Sequence, residues 1–152
     1  MDKLKVGLAQ MAPVWLNRDA TLEKVISFIN EAGEKGVDLI AFGEAIVPGY
    51  PFWIEPTCGA RFNAKDQKEM HSHYMDQSVQ IEAGHLDAVR EAVKKNAVAT
   101  YLGIIERAKN RGGHSLYCTM VYINKNGEIL STHRKLMPTY EERLTWSPGD
   151  GH

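Results

Sequence analysis

The order of hydrophobic patterns in the first 42 residues constrains the fold more than any other feature of the sequence. A short apolar run at 4–11, with alternating large side chains, predicts a buried strand. Apolar residues then recur at helical spacing, which predicts a helix capped by Asn17 or Asp19 and ended at Gly36. The nearly continuous apolar run at 37–42 predicts a second strand, covered on both faces. Strand, helix and strand in this order favour a parallel pair joined by a crossover helix.

Later segments continue the α/β pattern. We predict helices at 65–75 and 84–96 and strands at 98–105, 116–123 and 128–132, the last two joined by a tight turn at Asn126-Gly127. These elements predict a two-layer α/β unit with helices on one side of a mixed sheet. We expect a single domain over residues 1–152, with the elements that would complete it lying after His152.

Composition excludes several classes of protein. Hydrophobic residues make up 43% and charged residues 24%, close to the average for globular domains, so disorder is a poor fit. No apolar run approaches the ~18 residues of a membrane-spanning helix. With 18 Lys and Arg against 19 Asp and Glu, we expect no nucleic-acid partner and no membrane association. The two cysteines, Cys58 and Cys118, have no metal or redox spacing, so a reduced, cytoplasmic setting is the default expectation.

The first candidate for chemistry is Glu44, which directly follows the second predicted strand and opens a loop rich in proline, glycine and aromatic residues. Ligands of open α/β sheets bind at the carboxyl ends of strands. A carboxylate at such a position can act as a general acid or base. The alternative is that Glu44 simply ends the strand at the protein surface.

The second candidate is the segment 133–151, which follows the last predicted strand and contains Lys135, Glu141 and Glu142. A lysine beside apolar residues could stabilise negative charge that develops during a reaction. The alternative is a solvated run of charges on a loop.

Together the two segments resemble the nitrilase superfamily of carbon–nitrogen hydrolases. The first reads FGEAIVPGYPFW and the second HRKLMPTYEERLTWSPGDG, and the resemblance covers essentially the whole chain. It implies the N-terminal half of an α-β-β-α sandwich. It also implies that Glu44 is the catalytic glutamate, Lys135 the catalytic lysine and Glu142 a further active-site glutamate, with Glu141 as the alternative to Glu142.

The resemblance further implies the activity. True nitrilases, which the two motifs resemble more closely than the amidase or carbamoylase branches, convert a nitrile to a carboxylic acid and ammonia through a cysteine-bound thioimidate and thioester. No metal or organic cofactor is implied. The expected partners are a small-molecule nitrile and copies of the same chain, as a dimer that can extend into a spiral. Tyr50 and Trp53 could line an aromatic substrate pocket, although core aromatics give the same pattern.

The family's nucleophilic cysteine lies after the lysine motif, and the sequence reaches His152 without it. Of the two cysteines present, Cys58 is expected nearer the pocket, whereas Cys118 in mid-strand is expected to be a small buried hydrophobe. We therefore expect residues 1–152 alone to be inactive. The alternatives are an amidase, a cyanide-processing relative, or an inactive fragment that serves as a structural or binding piece.

Overall fold

A computed structural model describes residues 3–151 and contains one mixed sheet of five strands in the order β1-β2-β3-β4-β5. Strands β1, β2 and β3 run parallel, and β4 and β5 continue the sheet antiparallel. The strands are β1 Val6–Ala9, β2 Leu39–Phe42, β3 Ala99–Arg107, β4 Leu116–Ile123 and β5 Ile129–Arg134. The helices are α1 Arg18–Glu34, α2 Lys65–Gln77 and α3 Asp87–Asn96, with short 3-10 turns at Ile81–Ala83, Lys109–Arg111 and Tyr140–Leu144. The predicted mixed α/β fold is confirmed.

Helix α1 is the predicted crossover between β1 and β2. The Asn17 side chain accepts a hydrogen bond of 3.0 Å from the Ala20 backbone N–H and so caps the first turn. Leu22, Val25 and Ile29 form its buried stripe, which belongs to the same core cluster as the buried residues of α3. Burial of this stripe against the sheet fixes the parallel pairing of β1 with β2.

The predicted turn at Asn126-Gly127 joins β4 to β5. The Asn124 side-chain oxygen accepts hydrogen bonds from the backbone N–H groups of Asn126 and Glu128, each 3.0 Å long, and Gly127 has a φ of +79°. A tight hairpin needs a residue in the left-handed backbone conformation, which glycine adopts without strain.

The prediction that the first strand is buried is wrong. Leu4, Val6 and Leu8 are 67%, 49% and 83% exposed. Strand β1 is at the edge of the sheet, and alternation turns the smaller Gly7 and Ala9 toward the helices and the larger side chains toward the other face. Strand β2 likewise has fully buried side chains on one face only.

The prediction that all helices lie on one side of the sheet is also wrong. Helices α1 and α3 cover the face that carries Leu102, Ile104 and Val121. Tyr74 of α2 instead belongs to a second buried cluster that includes alternating residues of the opposite face. That cluster consists of Leu16, Ala45, Trp53, Ile54, Tyr74, Ile105, Leu116, Cys118 and Trp146. Among residues 3–151, no helix is long and apolar enough to span a bilayer.

Candidate active site

Glu44 lies just beyond the carboxyl end of β2, where the chain runs on beside β3. Val47 forms a parallel bridge with Ile104, so the segment that carries Glu44 is held against the middle of β3. Gly103 makes this approach possible. A Cβ atom at Gly103 would lie 2.2 Å from the Gly43 carbonyl oxygen and 2.9 Å from the Glu44 Cα.

Lys135 directly follows β5 and reaches Glu44. Its backbone N–H donates a 2.8 Å hydrogen bond to the Cys118 carbonyl oxygen, which extends the pairing of β5 with β4 by one residue. Alternation along β5 places Lys135 on the same face of the sheet as His133, opposite α1 and α3. The Lys135 Nζ lies 2.9 Å from the Glu44 Oε1, so the structure brings together the two residues that the motifs single out.

Glu142 completes the cluster. It sits in the 3-10 turn Tyr140–Leu144, and its carboxylate accepts a 2.7 Å hydrogen bond from the Thr139 backbone N–H in a capping box. The Lys135 Nζ lies 3.0 and 3.2 Å from its two oxygens. Glu142 is buried and Glu141 is exposed, so Glu142 is the glutamate that faces Lys135.

The three charges stabilise one another. Partial burial opposes the charge of Lys135, but hydrogen bonds and attraction to Glu44 and Glu142 outweigh it and raise the pKa of Lys135 above its usual value. Burial also opposes the charge of Glu142, yet the Thr139 N–H and Lys135 hold the pKa of Glu142 below its usual value. An ammonium group is therefore fixed between two carboxylates.

Tyr50 supports this cluster from outside the cavity. Its hydroxyl donates a 3.2 Å hydrogen bond to the Glu142 Oε1, and its ring packs edge-on against Trp146 with 5.5 Å between ring centroids. Burial and the nearby Glu142 charge raise the pKa of Tyr50 to about 12, so the hydroxyl stays a neutral donor. Trp53 is only 5% exposed and packs against Tyr74 in the second cluster. A contact between substrate and either predicted ring stays a prediction, because neither lines the cavity that the described residues form.

Glu44 and Lys135 open into a cavity of about 430 Å³. Few polar groups and several apolar atoms surround it, as in sites for small molecules. Its walls are Glu44, Gly103, Cys118, Thr119, Met120, His133, Lys135 and Leu136. In the described part of the chain, no group of three or more His, Cys, Asp and Glu side chains is placed to hold a metal ion.

Cys118 is the site residue that sequence reasoning missed. Its Sγ lies 3.5 Å from the Glu44 Oε1, and it lines the cavity. Burial and the neighbouring Glu44 charge raise the pKa of Cys118 to about 12, which keeps the thiol protonated. The expectation that Cys58 lies nearer the pocket is wrong, because Cys58 is exposed and lines a separate hollow with Arg61 and Leu144.

Comparison with known proteins gives a consistent picture. The family model described as "Carbon-nitrogen hydrolase" matches residues 5–152. A protein named "Nitrilase 2" from an unknown prokaryotic organism is 40% identical over 148 residues, covering 97% of this chain and 45% of the relative. The "Aliphatic nitrilase" of Rhodococcus rhodochrous is 34% identical, and the "Cyanide hydratase" of Leptosphaeria maculans 32%; each match covers 99% of this chain, with 39% and 40% of the relatives respectively. The chain thus spans less than half the length of these relatives.

Solved structures support the same fold. An amidase from a Nesterenkonia species superposes with a TM-score of 0.67 at 18% identity. The match covers 97% of this chain and 48% of that protein. At this identity the likeness concerns the fold alone.

Proposed function

Because the chain belongs to the carbon–nitrogen hydrolase family, we propose that the intact protein hydrolyses a nitrile to a carboxylic acid and ammonia. The match to relatives named nitrilase, at up to 40% identity, supports this branch of the family. One observation carries the chemistry: the Lys135 ammonium lies within 3.0 Å of both the Glu44 and the Glu142 carboxylate, at the edge of a small-molecule cavity.

We propose that the nucleophile is a cysteine thiol from the part of the intact protein that corresponds to the remaining length of these relatives. Cys118 is poorly suited to that role, since its thiol is buried and its pKa is raised to about 12. Cys58 is exposed in a different hollow.

In the proposed reaction Glu44 moves the protons. It takes the proton of the incoming thiol, the thiolate sulfur bonds to the nitrile carbon, and the nitrile nitrogen receives a proton to give a thioimidate. Addition of one water and a further proton transfer from Glu44 release ammonia and leave a thioester. A second water, activated by Glu44, cleaves the thioester and restores the thiol. One nitrile and two waters thus give one carboxylic acid and one ammonia.

Lys135 stabilises the negative charge that develops on the substrate in each addition step. Glu142 holds the ammonium group in place, because it is itself fixed by the Thr139 backbone N–H and by the Tyr50 hydroxyl. The compact ammonium group matters here, since a planar guanidinium would not fit the same three contacts.

The proposal is tested by offering nitriles to the intact protein and measuring ammonia. Glu44→Gln and Lys135→Arg should each lower kcat by at least about a thousandfold with the thermal transition retained. Glu141→Gln is the matched control, because Glu141 adjoins Glu142 but is exposed, and it should keep the wild-type rate. More than a few per cent of activity in Glu44→Gln would remove Glu44 from the role of base. If the intact protein still releases ammonia after replacement of both Cys58 and Cys118, this supports a nucleophile outside residues 1–152.

Two related activities differ in their products. The relatives named cyanide hydratase favour cyanide as an alternative substrate, and hydration of cyanide gives formamide without ammonia. An amidase would release ammonia from amides and leave nitriles untouched. Offering nitriles, amides and cyanide to the intact protein, with separate measurement of ammonia and amide, distinguishes the three.

For residues 1–152 alone we propose inactivity, and for the intact protein association into homo-oligomers. Without a suitable thiol at Glu44 and Lys135, no covalent intermediate can form. Incubation of the 152-residue chain with the nitrile panel tests the first point, and ammonia release above the buffer blank would contradict it. Sedimentation of the intact protein tests the second, and a monomer at assay concentration would contradict it.

A further inference from the structure

We propose that the largely buried ion pair between Glu106 and Arg134 is a positioning device that fixes the end of β5, so that Lys135 reaches Glu44. The positioning itself is independent of the reaction. Its effect on turnover rests on the proposed function.

The pair is held by directional hydrogen bonds and is largely enclosed. Arg134 donates two hydrogen bonds to Glu106, from Nε at 2.8 Å and from a terminal nitrogen at 2.7 Å. The Glu106 and Arg134 side chains are only 6% and 13% exposed. The Thr119 hydroxyl donates a further 2.8 Å bond to Glu106, and the Arg134 guanidinium lies 4.4 Å from the centre of the Tyr117 ring. A two-pronged arginine–carboxylate contact fixes orientation as well as distance.

The pair acts on Lys135 through the alternation of the strand. Arg134 and Lys135 are neighbours, and successive side chains of a strand point to opposite faces. Arg134 is in register with Thr119 and is held on the face of α1 and α3, so Lys135 must project into the cavity on the other face. Lys135 lies just past the end of β5, which is an edge strand of the sheet and pairs only with β4. Neither Glu106 nor Arg134 lines the cavity that the described residues form.

Arg134 also holds the segment that hydrogen-bonds to the backbone of Lys135. Gly149 donates its backbone N–H to the Lys135 carbonyl oxygen at 2.9 Å, and Asp150 accepts a 2.8 Å bond from Arg134. A Cβ atom at Gly149 would lie 2.4 Å from the Arg134 carbonyl oxygen, so the two backbones are in direct contact. Arg134 therefore links the end of β5 to the segment packed on it.

Stability alone is a weak reason for such a pair. Buried ion pairs can often be replaced by apolar residues of similar volume without loss of stability, whereas removal of one partner leaves an unpaired buried charge. A double substitution thus separates a role in stability from a role in positioning Lys135, because it can preserve packing while it removes the directional contacts. Glu106→Met with Arg134→Met is such a variant.

The experiment uses the intact protein with three variants: Glu106→Gln, the Glu106→Met/Arg134→Met double variant, and Glu69→Gln as control. The control breaks the exposed pair of Glu69 with Lys65 on α2, which shares no residue with these contacts. Two readouts are measured in each protein: kcat and KM for a nitrile, and the titration of the Lys135 ammonium group by ¹⁵N NMR.

In the double variant we expect the thermal transition to persist, kcat to fall roughly a hundredfold with KM little changed, and Lys135 to titrate at lower pH than in the wild type. The lower titration would follow from loss of the contacts with Glu44 and Glu142. A folded double variant with wild-type kcat and wild-type titration would overturn the proposal. If Glu106→Gln does not fold, the double variant alone tests the proposal. If Lys135 titrates lower in the variants but no protein, including wild type, attacks nitriles, amides or cyanide, then the proposed function fails and the positioning role stands.

Discussion

Replacement of Gly103 by alanine should displace Glu44 from Lys135 without changing the chemical identity of any proposed catalytic side chain. A Cβ atom at position 103 would lie 2.2 Å from the Gly43 carbonyl oxygen, 2.9 Å from the Glu44 Cα and 3.0 Å from the Ala45 nitrogen. All three are backbone atoms, which cannot rotate away as the end of a side chain can. The strand or the segment that carries Glu44 must therefore move.

The size of the movement follows from these distances. Real Cβ contacts essentially never fall below 3.0 Å, so the Gly43 oxygen must retreat from 2.2 Å by about 0.8 Å or more. A comparable shift of Glu44 would lengthen its 2.9 Å contact with Lys135 to nearly 4 Å, beyond a hydrogen bond. Misplacement by about 1 Å can cost a hundredfold in rate, and overpacking costs about 1–3 kcal/mol in the free energy of unfolding.

The assay is kcat/KM of the intact protein for a nitrile, together with thermal unfolding. Gly43→Ala is the matched control: nothing lies within 4 Å of a Cβ atom there, and that change should leave both quantities close to wild type. The reasoning is refuted if Gly103→Ala retains kcat/KM within about threefold of wild type.

Three further predictions follow from other groups of the site. Iodoacetamide at pH 8 should modify the exposed Cys58 readily and Cys118 roughly a thousandfold more slowly, because a pKa of about 12 leaves Cys118 almost no thiolate. Equal rates of modification in the folded protein would contradict this. Glu142 has a lowered pKa in the folded protein, so its contribution to stability is present above its ordinary value of about 4.5 and is lost as the pH falls through the lower folded value. The difference in unfolding free energy between wild type and Glu142→Gln should accordingly shrink as the pH falls from 6 to 3, and a constant difference would contradict it. Tyr50→Phe removes one hydrogen bond to Glu142 and should lower kcat by roughly three- to tenfold, as measured against wild type at saturating nitrile; an unchanged kcat would exclude a supporting role.

The elements of the fold were predictable from sequence because periodicity and turn chemistry act locally. The Asn17 cap and the Asn126-Gly127 turn depend only on neighbouring residues, and both are present in the structure. The exposure of Leu8 was not predictable. The apolar pattern of a strand is the same whether one or both faces of the sheet are covered by other elements. The position of β1 at the edge of the sheet depends on strand order, which the local pattern does not give.

The candidate site was likewise predictable only in part. Glu44 and Lys135 could be named because each stands inside a long motif, and Glu142 could be separated from Glu141 only by the capping box with Thr139. That box turns one of two adjacent carboxylates toward Lys135 and leaves the other in solvent. A one-residue difference in a short 3-10 turn depends on its cap, which motif spacing alone does not fix.

Cys118 shows why an apolar-looking strand residue can belong to a site. In sequence it lies between Tyr117 and Thr119 in an ordinary buried strand, and only the register that pairs it with Ile105 places its thiol beside Glu44. A shift of one residue in that register would turn Cys118 to the face of α1 and α3 and present Thr119 to Glu44 instead. Because the Thr119 hydroxyl is bonded to Glu106 in the observed register, the same pairing supplies a donor to the Glu106–Arg134 pair on one face and a thiol to the cavity on the other. The register of β3 with β4 thus couples the positioning pair to the lining of the cavity.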